Sequence, residues 1–457
     1  METLQSIYDH APLFIQNLMT SAKGVANAKT RYGKAYYDYL AFLREYETWD
    51  LAEKLEYQRR QLIDFLHFAY EHSAFYRELY KDIDLSAIQT IDDLKQLPIV
   101  DKEMLRENID ACMVTDYEKY IIGHTGGTTG KSLSIAITET DNMQRMAYLD
   151  HFKEKIGFVH RKMKRATFNG KHIVPPGQKK KVFWRYNHSC RQMIFSSFHI
   201  TEENLGYYVE ELNRFRPDAI DGFFTSMCDV ASYIERHNLT LTFKPVAIFP
   251  TSETLTKSGR ELLERVFDTK VYDQYASSEG APFVTECKEQ TLHMNLATGV
   301  IEHYGDTDEI LVTSFTTHGT PLIRYRIGDR MVFDDTHDVC GCGNDEPIVK
   351  SIEGRRLDFL YTAKGAKINA GNVANLLKYI PNAVIRAQFL QSEKDEVTVL
   401  LETDPAHFKP AYDARLQEEF AHTFGEDTRL VIRHVTEIPR EKSGKFRMIK
   451  NTVGTAP

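Results

Sequence analysis

The sequence has no run of about eighteen consecutive apolar residues, so no transmembrane helix is expected. Its first ten residues, Met1 to His10, carry an acid at Glu2 and no apolar signal core. A cytoplasmic protein is the expectation. A basic excess is also missing: 57 Lys and Arg stand against 65 Asp and Glu, a net charge of -8, which speaks against a general nucleic-acid binder. Cysteine is sparse. Cys112, Cys190, Cys228, Cys287, Cys340 and Cys342 suit thiols or a metal site better than a disulfide framework in so long a chain. No internal repeat and no low-complexity tract is present.

What remains is an ordinary globular composition, 42% hydrophobic and 27% charged, with enough apolar mass for a sizeable core. A length of 457 residues fits two or three domains, or one large domain with a small satellite. Residues 1 to about 110 read as mostly helical, with a long, weakly amphipathic stretch over Leu51–Tyr80 that Pro98 later ends. From Tyr120 onward, short β-rich runs alternate with helical ones: 121–124, 134–137, 219–224 and 246–250. That alternation predicts an α/β fold. The segment Gly354–Lys367 is rich in Arg, Lys and Gly. After it the chain restarts as a helix (Ala370–Tyr379), a strand pair (Ala383–Leu390 and Glu396–Glu402), a helix (Ala411–Phe424) and a strand (Thr428–Val435). The expected division is a large domain over 1–355 and a small α+β domain over 356–457.

The run His124-Thr125-Gly126-Gly127-Thr128-Thr129-Gly130-Lys131 is suited to an anion. Its glycines let the backbone turn tightly and come close to a ligand. Three threonine hydroxyls, consecutive N–H groups and the Lys131 ammonium can then cradle phosphate oxygens. It is one residue short of a Walker A register. The plain alternative is a flexible hairpin loop. Basic runs at 160–165 and 179–181 read either as a solvated face or as an attraction for phosphates.

Cys287 and His293 lie six residues apart, and Cys340 and Cys342 are separated by Gly341 and followed by Gly343. Three thiolates and one imidazole complete a tetrahedral zinc set with no open position, which predicts a structural Zn²⁺ site in an insertion spanning 287–342. The alternative is buried cysteines beside an unrelated histidine.

Four segments follow the glycine-rich loop in order: Tyr272–Gly280 (YDQYASSEG), Thr320–Asp329 (TPLIRYRIGD), Glu353–Phe359 (EGRRLDF) and Ile438–Arg447 (IPREKSGKFR). Together with the loop they resemble the successive core motifs of the adenylate-forming superfamily of acyl-CoA synthetases, amide synthetases and luciferases. The resemblance runs over roughly residues 30 to 450. The segment 72–80 and the compact length are similar to the phenylacetate-CoA ligase branch, some of whose members carry comparable Cys/His pairs. Residues 183–187, 195–201 and 214–226 resemble the relatives named for capsular-polysaccharide biosynthesis.

The resemblance implies a large N-terminal domain of layered sheets and helices and a small mobile lid. It implies ATP-dependent formation of an acyl-adenylate from a small-molecule carboxylate, with release of pyrophosphate. In that scheme Thr125 to Lys131 hold the β- and γ-phosphates and Tyr275, with Ser278 close by in its motif, meets the adenine. Glu279 coordinates Mg²⁺, a hard cation that takes oxygen ligands. Asp329 accepts from the ribose hydroxyls, and Arg355 contacts ribose or phosphate. Lys445 reaches the α-phosphate and the substrate carboxylate, where charge builds in the displacement. The hinge departs from the family pattern, with Leu357 where the first of two acids is usual. The segment Thr251-Ser252-Glu253 is less glycine-rich than usual, though Glu253 remains a candidate for lining the adenine site. His188 and His199 fall where the acyl pocket is expected, with a plain core role as the alternative. The acceptor stays open between coenzyme A, an amine and a sugar hydroxyl. So do adenylyl transfer without acyl chemistry and a nucleotide-binding scaffold.

Overall fold

The computed structural model describes residues 2–453 apart from 125–133, 172, 176–177, 179, 335–338, 356–358, 364–366, 370–372, 374–375, 381–382, 407 and 440–445. In chain order the helices are α1 (Glu2–His10), α2 (Leu13–Lys29), α3 (Lys34–Tyr46), α4 (Leu51–His72), α5 (Ala74–Leu79), α6 (Lys102–Glu107), α7 (Ile109–Cys112), α8 (Glu139–Ile156), α9 (Glu202–Phe215), α10 (Phe224–Arg236), α11 (Lys257–Phe267) and α12 (Ala411–Phe424). The strands of the larger part are β1 (Tyr120–His124), β2 (Ser134–Thr138), β3 (Arg165–Asn169), β4 (Trp184–Asn187), β5 (Gln192–Ser196), β6 (Ala219–Phe223) and β7 (Ala247–Thr251). They continue as β8 (Gln274–Tyr275), β9 (Val284–Glu286), β10 (Leu292–Met294), β11 (Gly299–His303), β12 (Glu309–Ser314), β13 (Leu322–Phe333) and β14 (Ile348–Arg355). The C-terminal strands are β15 (Phe359–Tyr361), β16 (Lys367–Asn369), β17 (Val384–Glu393), β18 (Glu396–Thr403), β19 (Arg429–Val435) and β20 (Ile449–Asn451). The expected α/β class is what is found. Among the described residues no helix is long and apolar enough to cross a membrane.

The chain forms two compact units that interleave in sequence: residues 25–160 with 272–352, and residues 1–24 with 161–271 and 353–457. The first is built on a seven-stranded sheet in the order β11-β12-β13-β14-β10-β9-β8, with the β1–β2 hairpin as a separate pair. Its core joins Leu62, Phe65, Leu66 and Ala69, the apolar stripe of α4 at helical spacing, to Val312, Ile323 and Tyr325 of the sheet. A capping box starts α4: Asp50 accepts from the Glu53 N–H, and Glu53 accepts from the Asp50 N–H. The weakly amphipathic stretch over Leu51–Tyr80 forms two helices. Ser73 takes an extended conformation and caps α5, its hydroxyl accepting from Tyr76 N–H at 3.4 Å. The break turns Tyr76 into the core, where its hydroxyl donates to the Pro321 carbonyl at 2.9 Å.

The second unit holds a five-stranded sheet in the order β4-β5-β3-β6-β7, parallel except for the β4 edge. All five residues of β6 are buried, as a central parallel strand requires. Helices α9, α10 and α11 share its core. In the C-terminal stretch β17 and β18 form an antiparallel hairpin, flanked by β20 and β19 in parallel pairing. Leu416, Phe420 and Phe424 of α12 pack there with Phe389, Val397 and Leu401. Within the same unit, Arg386 on β17 bonds Asp229 of α10 at 3.2 Å and the Ile200 carbonyl at 2.6 Å. The helix expected over Ala370–Tyr379 lies partly outside the described residues. Its described end, Leu376–Tyr379, is a single 3₁₀ turn.

Candidate active site and metal cluster

Tyr275 and Asp329 come together in the unit built on the seven-stranded sheet, and Glu279 stands four residues after Tyr275 in the turn that follows. Strand β8 is two residues long and pairs Tyr275 with Val284 of β9. The chain then turns through Ala276–Gly280, and Gly280 sits at φ +105, a conformation side chains rarely adopt. A Cβ there would also meet Thr317 at 2.6 Å. The turn is tightly held. Ser277 Oγ accepts from the N–H groups of Gly280 and Ala281 at 3.1 and 3.0 Å. Arg145 Nη1 of α8 donates to the carbonyls of Gly280 and Ala281 at 2.8 and 3.0 Å, and Ser314 Oγ donates to Gly280 at 2.6 Å.

Glu279 projects from this turn, is only 4% exposed, and its side chain makes no hydrogen bond or ion pair among the described residues. An unpaired buried carboxylate is costly unless a cation or a donor meets it. The position therefore fits a hard divalent ion. Tyr275 and Asp329 are both buried, and the phenol donates to Asp329 Oδ2 at 2.8 Å. Asp329 sits on β13 just after Gly328, which is at φ +81. Ser278 is exposed. The two arginines of the same motif serve the sheet: Arg324 pairs with Glu302 at 3.1 Å and Arg326 with Glu309 at 2.8 Å.

Thr125, Gly126, Gly127, Thr128, Thr129, Gly130 and Lys131 lie outside the described residues, as do Leu357 and Lys445. The ends of the glycine-rich loop are defined, since His124 and Ser134 face each other across the β1–β2 pair. Arg355 ends β14. In the other unit, the Glu253 carboxylate accepts from Thr225 N–H at 2.7 Å and from its hydroxyl at 3.0 Å, capping the first turn of α10. His199 Nδ1 lies 2.9 Å from Ser196 Oγ, and its ring stacks on Phe183.

Cys287, His293, Cys340 and Cys342 form a second group, their ligand atoms all within 4.8 Å of one another. Cys287 and Cys340 sulfurs are 3.7 Å apart, and Cys342 Sγ lies 3.6 Å from His293 Nε2. A disulfide would need about 2.05 Å. Two sulfurs at tetrahedral positions around zinc stand about 3.8 Å apart, and a sulfur and a nitrogen about 3.6 Å. His293 Nδ1 is 3.0 Å from the Glu346 carbonyl, which directs Nε2 towards the group centre. The backbone N–H of Asn344 donates to Cys342 Sγ at 3.4 Å. Glu346 braces the loop from behind: its carboxylate accepts from Tyr46 Oη at 2.7 Å and from Leu296 N–H at 2.9 Å. A cavity of about 450 Å³ adjoins the group, lined among others by Tyr46, Glu47, Trp49, His151 and Cys342.

Residues 360–452 match the family model of the CapK C-terminal domain. The whole chain is 39% identical to Protein CapK of Staphylococcus aureus over 454 residues, 98% of this chain and 100% of that protein. The chain belongs to the CapK family. Its fold is shared with 2-hydroxyisobutyryl-CoA ligase. One structure of that ligase, in the postadenylation state with R3-HIB-AMP, aligns at 18% identity over 88% of this chain and 90% of the ligase, with a TM-score of 0.69. A second, an open conformation with 2-HIB-AMP and CoA, aligns at 18% identity over 88% and 92% with a TM-score of 0.52.

In this CapK-family chain several supporting residues escaped the sequence reading. Arg145 looks like any charged residue on a helix, and nothing in its neighbourhood marks it as the brace of the Glu279 turn. Glu346 had a usable signal, because it stands just beyond the Cys-Gly-Cys segment. Asp141 of α8 is fully buried and takes both the backbone N–H and Nδ1 of His318, at 2.6 and 2.8 Å. That contact fastens the helix following β2 to the turn preceding β13.

Proposed function

We propose that this protein is an adenylate-forming ligase, which uses ATP to convert a carboxylic acid into an acyl-adenylate with release of pyrophosphate. The observation that carries the reading is the buried Tyr275–Asp329 pair with buried Glu279, unpaired among the described residues, in the same motif as Tyr275, the motifs standing in the family's order. The shared fold with a CoA ligase supports it.

Tyr275 offers its ring face to adenine, and its bond to Asp329 holds the ring orientation. Asp329 would accept from the ribose hydroxyls. Glu279 would hold Mg²⁺, which neutralises phosphate charge when bound. Thr125 to Lys131 close over the phosphates with N–H groups and hydroxyls. Lys445, carried on a lid over 356–457, places its ammonium where negative charge develops between the α-phosphate and the carboxylate. Arg355 contacts the nucleotide from the hinge strand, and Ser278 stands at the mouth of the adenine turn. The Cys287, His293, Cys340 and Cys342 group would hold a structural zinc, with all four positions filled by protein.

The acyl group then passes to an acceptor. Coenzyme A, an amine and a sugar hydroxyl on a capsule precursor all have the required nucleophile. Exchange of labelled pyrophosphate into ATP, run across a panel of carboxylic acids, tests the activating half-reaction. Exchange that depends on one acid is the expected result. Tight ATP binding with no exchange for any acid would turn the reading towards a scaffold.

A further inference from the structure

The cavity of about 450 Å³ beside the thiol cluster belongs wholly to the unit built on the seven-stranded sheet. Tyr275, Glu279 and Asp329 do not line it, so it is separate from the nucleotide residues. Its size falls within the roughly 300–1,000 Å³ usual for small-molecule sites. Three pieces of chain form it. Helix α8 supplies Tyr148, His151, Phe152 and Lys155, whose three-four spacing puts them on one helix face. The end of α3 and the turn after it supply Tyr46, Glu47 and Trp49. Strands β9 and β10, with the segment around Cys342, complete the wall.

The buried charges of the lining already hold one another. Lys54 pairs with Asp345 at 2.5 Å, and Glu286 accepts from Asp273 N–H at 2.7 Å. Glu47 takes both Lys155 and His151, the latter through Nε2 at 3.3 Å. An entering ion would have to break one of these pairs, so an uncharged ligand is favoured. Two acceptors are left over. Asn295 Nδ2 donates to Glu346 Oε1 at 3.3 Å, which fixes the amide and leaves Oδ1 with no hydrogen-bond partner among the described residues. Glu47 draws the His151 ring proton to Nε2, and Nδ1 likewise has no hydrogen-bond partner there. Each residue is 7% exposed, and a buried acceptor without a donor is costly. A side-chain turn of the kind common on binding is needed to present these atoms to a ligand.

Trp49 is half-buried at this cavity. The rings beside it, Phe42, Tyr46 and Tyr57, lie at 78°, 55° and 61° to its plane, so none of them stacks on its face. A sugar ring carries C–H groups on one face and hydroxyls round its edge. It can lie on an indole and donate hydrogen bonds at the same time. We propose that the cavity binds an uncharged sugar unit, its C–H face on Trp49 and its hydroxyls donating to Asn295 Oδ1 and His151 Nδ1. The site does not depend on the adenylation reading, because nucleotide and sugar occupy different residues.

The chain has two tryptophans, Trp49 and Trp184, so Trp184→Phe leaves Trp49 as the fluorescent reporter. That full-length variant, purified without chelator, is titrated in the absence of ATP with glucose, galactose, N-acetylglucosamine and their methyl glycosides. A saturable change in emission is expected for at least one of them, with a Kd on the order of 1 mM. His151→Phe keeps a ring and removes the acceptor, and it should weaken binding about fivefold, the worth of one hydrogen bond. Trp49→Leu, at the half-buried edge, should keep the wild-type melting temperature and abolish binding as read by saturation-transfer NMR. Glucuronate and benzoate, both anions, should bind more weakly than the best sugar. No saturable change with any neutral sugar, binding that survives Trp49→Leu, or an anion that binds as tightly as the best sugar would each overturn the proposal.

Discussion

The Tyr275 hydroxyl donates to Asp329 Oδ2 at 2.8 Å, joining two buried residues that stand 54 positions apart in sequence. The bond couples the proposed adenine contact to the proposed ribose contact. Removing the hydroxyl leaves the ring in place but frees it to tilt, and it takes one donor from the carboxylate. Tyr275→Phe should weaken ATP binding by about 1–2 kcal/mol, roughly tenfold in Kd, as expected for a hydrogen bond to a charged group. Asp329→Ala should weaken it further. Calorimetric titration of ATP measures both, and an unchanged Kd in Tyr275→Phe would separate the pair from nucleotide binding.

Arg145 is predicted to act through the turn it holds. Its guanidinium meets three acceptors, the Gly280 and Ala281 carbonyls and Thr316 Oγ1, and lies 4.4 Å from the Phe283 ring centroid. Arg145→Met keeps the stem's packing and abandons the acceptors. The expected cost is about 2–3 kcal/mol of stability. The Mg²⁺ concentration needed for half-maximal exchange should rise, since Glu279 loses its fixed position. Denaturant unfolding and a Mg²⁺ titration of pyrophosphate exchange read the two effects separately.

The thiol cluster predicts about one equivalent of zinc in protein purified without chelator. Less than about half an equivalent would count against the site. Cys287→Ser and Cys342→Ser should lose the metal and lower the melting temperature, because binding energy at a structural site is folding energy. Cys287 directly follows β9, which runs beside β8, and His293 lies on β10, the next strand along from β9. Metal loss should therefore also loosen Tyr275 and weaken ATP binding, whereas Cys112→Ala, far from the ligand set in sequence and outside it in space, should leave metal content unchanged.

Much of this was legible in the sequence for identifiable reasons. The strands β6 and β7 announce themselves as short apolar runs between helical stretches, so the α/β class follows. Three thiols and an imidazole near two glycines predict a closed metal set. What was hidden depends on distance along the chain. Tyr46 and Glu346 are 300 residues apart, and no local pattern pairs them. The break at Ser73 was hidden because a serine inside a helical pattern is a weak signal until Tyr76 is seen to need the core.

Lys445→Ala separates binding from chemistry. The proposed role is to meet charge that builds during displacement, so the ground-state complex should lose little. ATP affinity should change less than about threefold, while acid-dependent pyrophosphate exchange should fall by several orders of magnitude. Comparable losses in both would make Lys445 a binding residue. An unchanged exchange rate would remove it from the mechanism.

Acid should weaken the unit built on the seven-stranded sheet through Glu47. This carboxylate lies 3.3 Å from His151 Nε2 and forms an ion pair with Lys155. Burial opposes its ionisation, but the His151 and Lys155 contacts outweigh that and draw its pKa from 4.5 down to about 2. A depressed carboxylate stabilises the folded state above its unfolded pKa, and that stabilisation is lost as pH falls through the folded value. The contribution is therefore complete above about 4.5 and disappears on the way to about 2. Glu47 remains partly solvent-exposed, so screening keeps the effect small. Wild type should unfold at a higher denaturant midpoint than Glu47→Gln near neutral pH. The difference should shrink steadily below pH 4.5 and vanish near pH 2. A gap that stayed constant through that window would mean the glutamine acts through packing and not through charge.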